Sequence, residues 1–362
     1  MQDKLRKAET IINNFIEGNK IPGLSLQIVS QGEVILTKDY GYGNIESQKP
    51  MKQDSVSSIM SITKSFTAIA MLHLEEHTNF SIDMPITEYL PYFRTKSGSY
   101  DKITTKHILS HTAGFPDNIW LVTLLDNGLF EFAKNLPEYN FIYELFHDID
   151  GLISRTKSRE DVIRYFSNID LAYPPGEGWQ YCTDAYVIVA DILEKVSGIT
   201  WEEYVFNNII EPLNMNDTYI NPSIDRIENM SDYYLYRNNK FIKIPTPNNP
   251  IGAPVGFIYS TTNDLGKYLI AIMEGKENFI TQRSRDMMFT MIAQRDPKLS
   301  YGLGWKVKKV RDMKVVEHAG GYPGVSSFAS MIPNNRFGLA ILCNTGDVPL
   351  QGLSDEIIDI FN

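Results

Sequence analysis

Apolar positions recur along this chain with two different periods, one typical of helices and one typical of strands. Residues 2–18 carry apolar side chains at helical spacing, and this pattern ends near Gly18. Residues 23–30 and 33–41 instead alternate valine, isoleucine and leucine with polar residues on either side of the turn Gln31-Gly32. A strand hairpin that follows a helix indicates an antiparallel sheet with helices packed against it.

Strand patterns return in the last third of the chain. We predict a strand at 301–307, another opened by His318, further strands at 327–332 and 337–344, and a closing helix at 353–361. The middle of the chain is mainly helical and includes an aromatic-rich segment, 117–160, and a segment rich in asparagine and proline, 218–254. The predicted fold class is α+β: an antiparallel β-sheet flanked by helices plus a mainly helical lobe.

These patterns predict a single domain, 1–362, made of two lobes. Residues 1–75 and 255–362 should form the sheet lobe, and residues 76–254 should form the helical lobe. A cleft between two lobes is a usual place for a small ligand. We therefore expect the site in such a cleft, with the segments 117–160 and 218–254 shaping it.

A serine and a lysine stand at the start of one predicted helix. Small polar residues precede Ser61 and apolar residues at helical spacing follow it, which places Ser61 at or just inside a helix N-terminus. Lys64 lies three residues later, on the same helix face. A serine becomes nucleophilic beside a base, and a lysine can be that base once burial and the helix dipole lower its pKa. The pair alone also fits a plain amphipathic helix, since Ser-x-x-Lys is a common pattern.

Composition narrows the functional classes. The 362 residues include 34 Lys and Arg against 44 Asp and Glu, a net charge of −10, which argues against nucleic-acid binding. No apolar run of about 18 residues appears, so we expect no membrane span. The charged start of the chain is unlike a signal peptide, which predicts a cytoplasmic protein. The two cysteines, Cys182 and Cys343, do not make a disulfide scaffold, and we expect buried free thiols.

Three segments together form a family pattern. They are Ser61-Ile62-Thr63-Lys64, then Tyr181-Cys182-Thr183 after a Pro-Gly turn, then His318-Ala319-Gly320-Gly321. In this order they resemble the serine β-lactamase and penicillin-recognising group, whose pattern is Ser-x-x-Lys, Tyr-x-Asn, and Lys or His followed by Thr or Ala and Gly. The resemblance extends from about Ile21 to Asn344. It is strongest to the branch with class C β-lactamases, D-stereospecific peptidases and related esterases.

The resemblance implies a β-lactamase/transpeptidase-like fold and acyl transfer without a cofactor or a metal. Ser61 would attack a carbonyl and form an acyl-enzyme that water hydrolyses, with Lys64 and Tyr181 sharing the general-base work. The substrate would be a small molecule or short peptide: an ester, a D-amino-acid amide or peptide, or a β-lactam.

The resemblance also implies which residues would bind the substrate. The backbone N–H groups of Ser61 and Gly321 would form the oxyanion hole, and the neighbouring Gly320, His318 and Thr183 would belong to the substrate-binding set.

The chain departs from the family pattern at two of these positions. Thr183 stands where the family has asparagine, and its short side chain offers a hydroxyl instead of an amide. His318 stands where most β-lactamases have lysine, which favours an esterase or peptidase over a dedicated β-lactamase. His318 could hold a substrate carboxylate or order the network of Ser61 and Tyr181.

Two other hypotheses stay open at this point, and the sequence makes no prediction of oligomeric state. A catalytically weak or inactive protein of this fold could bind a ligand in the cleft, and Thr183 supports that view. The pairs His73/His77 and His107/His111 have the spacing that can share a metal. However, the sequence from His73 to His77 is not the zinc-protease order, and surface histidines are the simpler interpretation.

Overall fold

A computed structural model describes residues 2–117, 119–137, 140–275, 279–296 and 299–361. The predicted domain 1–362 also contains residues 1, 118, 138–139, 276–278, 297–298 and 362, which lie outside the described residues. The predicted α+β class is confirmed, and the first predicted helix and hairpin are present.

Strands concentrate near the two ends of the chain and helices in its middle. In chain order the strands are β1 (Gly23–Ser30), β2 (Glu33–Asn44), β3 (Lys49–Pro50), β4 (Ser57–Ser58), β5 (Tyr219–Ile220), β6 (Tyr233–Arg237), β7 (Lys240–Ile244), β8 (Ile258–Ser260), β9 (Ala293–Asp296), β10 (Leu299–Tyr301), β11 (Lys306–Val310), β12 (Met313–Tyr322), β13 (Val325–Ile332) and β14 (Phe337–Cys343). The helices are α1 (Gln2–Gly18), α2 (Thr63–His77), α3 (Thr105–Leu109), α4 (Leu121–Leu124), α5 (Asn127–Ala133), α6 (Phe141–Leu145), α7 (Ile149–Arg155), α8 (Arg159–Tyr165), α9 (Tyr186–Ser197), α10 (Trp201–Val205), α11 (Ala253–Gly256), α12 (Thr262–Glu274), α13 (Gln282–Met288) and α14 (Leu350–Phe361).

Nine strands of the described residues form one antiparallel sheet in the order β3-β2-β1-β14-β13-β12-β11-β10-β9. The pairing of β1 with β14 joins the first part of the chain to the last. The middle of the chain contributes strand β5 to a small sheet ordered β4-β8-β5, and the hairpin β6-β7. The division into a sheet lobe (1–75 and 255–362) and a helical lobe (76–254) stays a prediction.

Helices cover both faces of the large sheet. Helices α1 and α14 bury Ile12 and Ile357 against Leu26 of β1 and Ile341 of β14. Helix α12 contacts the same two strands from the other side, in a larger core that also holds α2 and α9. Because side chains alternate along a strand, β1 supplies Leu26 to the first core and Val29 to the second.

Two predicted strands in the last third differ from the structure. The strand predicted at 301–307 is divided, because β10 ends at Tyr301 and β11 begins at Lys306. Gly304 has φ of +72°, and the Gly302 amide donates to the Trp305 carbonyl at 2.9 Å, so the chain turns there. His318 does not open its strand, because β12 already begins at residue 313, where it pairs with β11.

Two compositional expectations can be compared with the structure. Cys182 and Cys343 are both buried and free, as predicted. Among the helices of the described residues, none combines the length and the apolar character needed to cross a bilayer. The cytoplasmic location stays a prediction.

Candidate active site

Ser61 lies in a single 3-10 turn, Met60–Ile62, directly before α2. Met60 has φ of +45°, a left-handed conformation that a non-glycine residue adopts only where its surroundings enforce it. The turn packs against β12 and β13, and the Ser327 hydroxyl of β13 donates to the Ile59 carbonyl at 2.7 Å. These contacts hold Ser61 at the start of a helix, as the sequence predicted, and leave it partly exposed.

Lys64 is fully buried one turn further along. Its Nζ donates to the Val255 carbonyl at 2.7 Å and lies 3.1 Å from Ser61 Oγ. Burial lowers the pKa of Lys64 from 10.5 to about 7, although the nearby Asp184 opposes the shift. An amine that is partly neutral near pH 7 can accept a proton from the Ser61 hydroxyl.

The Tyr181 side chain contacts the same pair. Its ring lies beside Lys64, whose Nζ is 5.3 Å from the ring centre, and its hydroxyl is near the side chains of Ser61 and Thr183. Burial raises the pKa of Tyr181 above 10, and the nearby Ser61 and Thr183 side chains offset only part of the rise. The phenol is therefore protonated at neutral pH, which suits it to relaying a proton, whereas Lys64 is the better base.

Strand β12 brings a glycine-lined edge to this site. Among the described strands, β11 pairs with β12 only as far as Glu317, so residues 318–322 are paired on the β13 side alone. Ala319 and Gly321 face the cleft, and His318 and Gly320 are buried. An added Cβ at Gly321 would meet nothing within 4 Å, so its backbone is open to a bound substrate.

Gly320 lets β12 approach the Ser61 turn, and this gives a testable prediction. An added Cβ there would collide with the Ile59 carbonyl oxygen and with Ser327 Oγ. We expect Gly320→Ala to lower the free energy of unfolding by about 1–3 kcal/mol. It should also lower any hydrolytic activity, because the strand edge moves away from Ser61.

Thermal unfolding and ester turnover measure these two effects. Gly352→Ala in α14 is the matched control, since a Cβ at that position meets nothing within 4 Å. A Gly320→Ala protein that is as stable and as active as this control would contradict the prediction.

His318 is buried, and both of its ring nitrogens have partners. Nδ1 lies 2.8 Å from the Ala319 carbonyl, and Nε2 lies 2.8 Å from the Tyr301 hydroxyl. A carbonyl only accepts, so Nδ1 carries the proton and Nε2 of the neutral ring accepts from Tyr301. Burial, with smaller effects of the Lys306 and Lys64 charges, lowers the pKa of His318 well below 6.5. This arrangement favours an ordering role for His318 over the binding of a substrate carboxylate.

Thr183 and Asp184 follow Tyr181 and have different surroundings. Thr183 lines the cleft, and its side chain is near the Tyr181 hydroxyl. The Asp184 carboxylate is buried and accepts hydrogen bonds from the backbone N–H groups of residues 119, 120 and 122 at 2.8–3.2 Å. It therefore caps the start of α4, a distant segment, and not its own helix α9.

His111 is buried behind Tyr181 and was not among the residues predicted for the site. Its ring centre lies 4.1 Å from that of Tyr181, and its Nδ1 accepts from the Cys182 backbone N–H at 3.2 Å. His111 itself has φ of +58°, a left-handed conformation that it adopts in the turn after α3. The sequence marked His111 only through its spacing four residues after His107, which was considered for a metal pair.

The histidine pairs have separate structural partners. His73 Nδ1 lies 2.9 Å from the Tyr204 hydroxyl, His77 Nδ1 lies 2.8 Å from the His73 carbonyl, and His107 completes the capping box of α3 with Thr104. Within the part of the chain that the structure describes, no group of three or more His, Cys, Asp and Glu could hold a metal ion.

Ser61, Tyr181, Thr183 and Gly321 line one cleft of about 930 Å³. The segments 117–160 and 218–254 both contribute side chains to it, as predicted. From these two segments come Trp120, Val122, Thr123, Leu129, Phe130, Ala133, Ile142, Leu235, Tyr236 and Arg237. The sequence did not identify these lining residues, because their side chains carry no recognisable chemical motif.

The sequence is similar to those of several known proteins. The family model described as Beta-lactamase matches residues 8–359. The chain is 25% identical to Penicillin-binding protein 4* of Bacillus subtilis over 358 residues, which is 95% of this chain and 72% of that protein. It is 23% identical to Protein flp of Staphylococcus aureus over 364 residues, 99% of this chain and 67% of that protein.

Solved structures agree with the same relationship. The octameric penicillin-binding protein homologue from Pyrococcus abyssi has a TM-score of 0.85 and 25% identity, covering 99% of this chain and 77% of the homologue. A D-stereospecific amidohydrolase from Streptomyces sp. has a TM-score of 0.75 and 23% identity, covering 98% and 97%. This second similarity establishes a shared fold.

Proposed function

The chain belongs to the Beta-lactamase family of serine hydrolases, and from that premise we propose that it hydrolyses an ester or a D-amino-acid amide or short peptide through an acyl-enzyme on Ser61. The observation that carries the proposal is the buried Lys64 amine, 3.1 Å from Ser61 Oγ, with its pKa lowered to about 7. A plain amphipathic helix has no reason to bury a lysine beside a serine, because burying an amine is costly.

In the first half of the reaction, Lys64 Nζ accepts the Ser61 proton while Oγ forms a bond to the substrate carbonyl carbon. The backbone N–H groups of Ser61 and Gly321 stabilise the resulting oxyanion. The bond to the leaving group then breaks, and the proton reaches the leaving oxygen or nitrogen through the Tyr181 hydroxyl.

In the second half, a water molecule attacks the acyl-enzyme. Lys64, again neutral, accepts the water proton directly or through Tyr181, and the acid product leaves as the proton returns to Ser61 Oγ. Each group enters the cycle in a protonation state that its surroundings favour, because burial favours the neutral amine of Lys64 and the protonated phenol of Tyr181.

The neutral, hydrogen-bonded ring of His318 favours esters and amides over β-lactams as substrates. Both ring nitrogens are already hydrogen-bonded, and burial keeps the ring neutral by lowering its pKa. A neutral, fully engaged ring supplies no cation at the position where most β-lactamases have lysine. We therefore expect a kcat/KM for a small ester or a D-amino-acid amide that exceeds that for a cephalosporin by about tenfold or more.

A substrate panel tests this proposal. It consists of p-nitrophenyl acetate, D-alanine p-nitroanilide and a chromogenic cephalosporin, each followed as kcat/KM with the purified protein. Turnover of the ester or anilide ahead of the cephalosporin supports the proposal, and preferred turnover of the cephalosporin contradicts the substrate preference.

The same panel decides against the second candidate, a catalytically weak protein that binds a ligand in the cleft. Thr183 in place of asparagine is the observation that favours it. Ordinary turnover of any panel member rules this candidate out. No turnover together with no covalent labelling by a fluorophosphonate probe would support it.

A further inference from the structure

One part of the cleft is apolar, and the proposed chemistry does not use it. Five side chains from α4, α5 and α6 line the cleft there, and we call them the apolar wall: Val122, Leu129, Phe130, Ala133 and Ile142. Each is at most 7% exposed. Phe130 and Ile142 belong to a small hydrophobic core of their own, separate from the two cores that stabilise the sheet.

The wall is tied to the segment that carries Tyr181. Asp184, three residues after Tyr181, accepts the three backbone N–H groups at the start of α4, and the Val122 N–H bond is the shortest at 2.8 Å. The carboxylate is buried, which is costly unless such hydrogen bonds compensate. The position of Val122 is therefore coupled to that of the Tyr181 segment.

A second buried carboxylate ties the wall to the end of β12. Asp126 accepts from the backbone N–H of Leu129 at 3.2 Å and from that of Asn248 at 3.1 Å. Burial raises the pKa of Asp126, and the nearby side chain of Tyr322, the residue after Gly321, offsets part of that rise. The wall and the glycine-lined edge thus share one anchor.

A third tie leads toward Lys64. The Asn249 side-chain amide donates to the Val122 carbonyl at 2.6 Å, and its oxygen accepts from the Gly252 N–H at 2.9 Å. Gly252 is the N-cap of α11, and α11 contains Val255, whose carbonyl accepts the hydrogen bond from Lys64. Each of the three ties connects the wall, within a few residues, to a group proposed for catalysis.

We propose that the apolar wall binds the acyl part of the substrate and selects acyl groups that are bulky and apolar, either aromatic or aliphatic with several carbons. This inference rests on the proposed function and adds the substrate class. The acyl part is favoured over the leaving group because it stays attached to Ser61 through both halves of the reaction. The apolar wall has a fixed position relative to Ser61, Lys64 and Gly321, so it can contact the acyl group during acylation and during hydrolysis of the acyl-enzyme.

The size of the cleft agrees with this inference. A volume of about 930 Å³ is far more than an acetyl group needs, and it lies within the range of pockets that enclose whole small molecules. Each methylene moved from water to such a surface strengthens binding roughly fourfold. We therefore expect the wild-type kcat/KM for p-nitrophenyl hexanoate to exceed that for p-nitrophenyl acetate by about tenfold or more.

The decisive measurement is this hexanoate-to-acetate ratio of kcat/KM, because the leaving group is the same in both esters. In Leu129→Ala the ratio should fall about tenfold, since contacts to the longer chain are lost. In Ala133→Leu the ratio should also fall about tenfold or more, since the added carbons occupy the space of the acyl chain. Leu145→Ala is the matched control, because Leu145 lies in the same segment but is 53% exposed.

The outcomes separate this inference from the proposed function. A wild-type ratio near one, or a ratio that Leu145→Ala lowers as much as Leu129→Ala, overturns the apolar wall while leaving the hydrolase proposal standing. No turnover of either ester and no covalent labelling in the wild type overturns both. If Leu129→Ala fails to fold, Ala133→Leu takes its place. A lowered hexanoate-to-acetate ratio in Ala133→Leu supports the inference, and an unchanged ratio contradicts it.

Discussion

Ser61→Ala is expected to lower kcat/KM by about 10⁴-fold or more, because Ser61 Oγ is the atom that we propose forms the acyl bond. The hydroxyl it removes is the one that Lys64 and Tyr181 both contact. Covalent labelling by a fluorophosphonate probe, followed by intact-protein mass spectrometry, should disappear at the same time. The loss of label separates a missing nucleophile from a merely slower reaction.

Ser65→Ala is the matched control for this experiment. Ser65 lies four residues further along the chain, in α2, and its hydroxyl is buried between the Ile62 carbonyl at 2.7 Å and the Tyr268 hydroxyl at 2.8 Å. It has no contact with the cleft, so turnover and labelling should stay close to wild type. Labelling that persists in Ser61→Ala would assign the nucleophile to another residue.

Lys64→Met should reduce kcat/KM by about 10²–10⁴-fold, the usual contribution of a general base. The wild-type kcat/KM should rise with pH and reach half of its plateau near pH 7, since burial lowers the pKa of Lys64 to about 7 and only the neutral amine accepts a proton. In Lys64→Met this limb of the profile should vanish. Burial keeps His111 and His318 neutral through the same range by lowering their pKa values well below 6.5.

The pH profile therefore assigns the base. Lys195→Met is the control, because Lys195 lies on α9 with half of its side chain exposed and pairs loosely with Asp191 at 3.8 Å. It should retain the wild-type profile. A Lys64→Met protein with an unchanged limb near pH 7 would show that another group accepts the proton.

We expect Lys64→Met to raise the stability of the protein although it lowers the activity. Because the pKa of Lys64 is about 7 in the folded state and near 10.5 in the unfolded chain, the unfolded chain binds more protons between these values. The wild type should therefore gain stability as the pH rises from about 7 to about 10.5. At pH 7, burying the Lys64 amine lowers the free energy of unfolding by roughly 4 kcal/mol. Lys64→Met removes this cost but leaves the Val255 carbonyl without its partner, which costs about 1–3 kcal/mol. Lys64→Met should therefore unfold at a higher temperature than the wild type.

The local geometry of the Ser61–Lys64 pair could be predicted from the sequence alone. Two residues three apart at the start of a helix share a face, so the spacing predicted that Lys64 lies beside Ser61. The strands near both chain ends were likewise predicted from their alternating pattern, and so was the α+β class. The strand predicted at 301–307 was wrong because a single left-handed glycine, Gly304, makes a turn that alternation does not reveal.

What the sequence could not determine is the electrostatic state of the site, because that depends on distant residues. Lys64 has a lowered pKa because the fold buries it against Val255 and Tyr186. Contacts with distant parts of the chain also keep Tyr181 protonated and His318 neutral. The same kind of contact couples Asp184 to α4. Local spacing determined which groups could react, and tertiary burial decided which proton each holds and which surface a substrate meets.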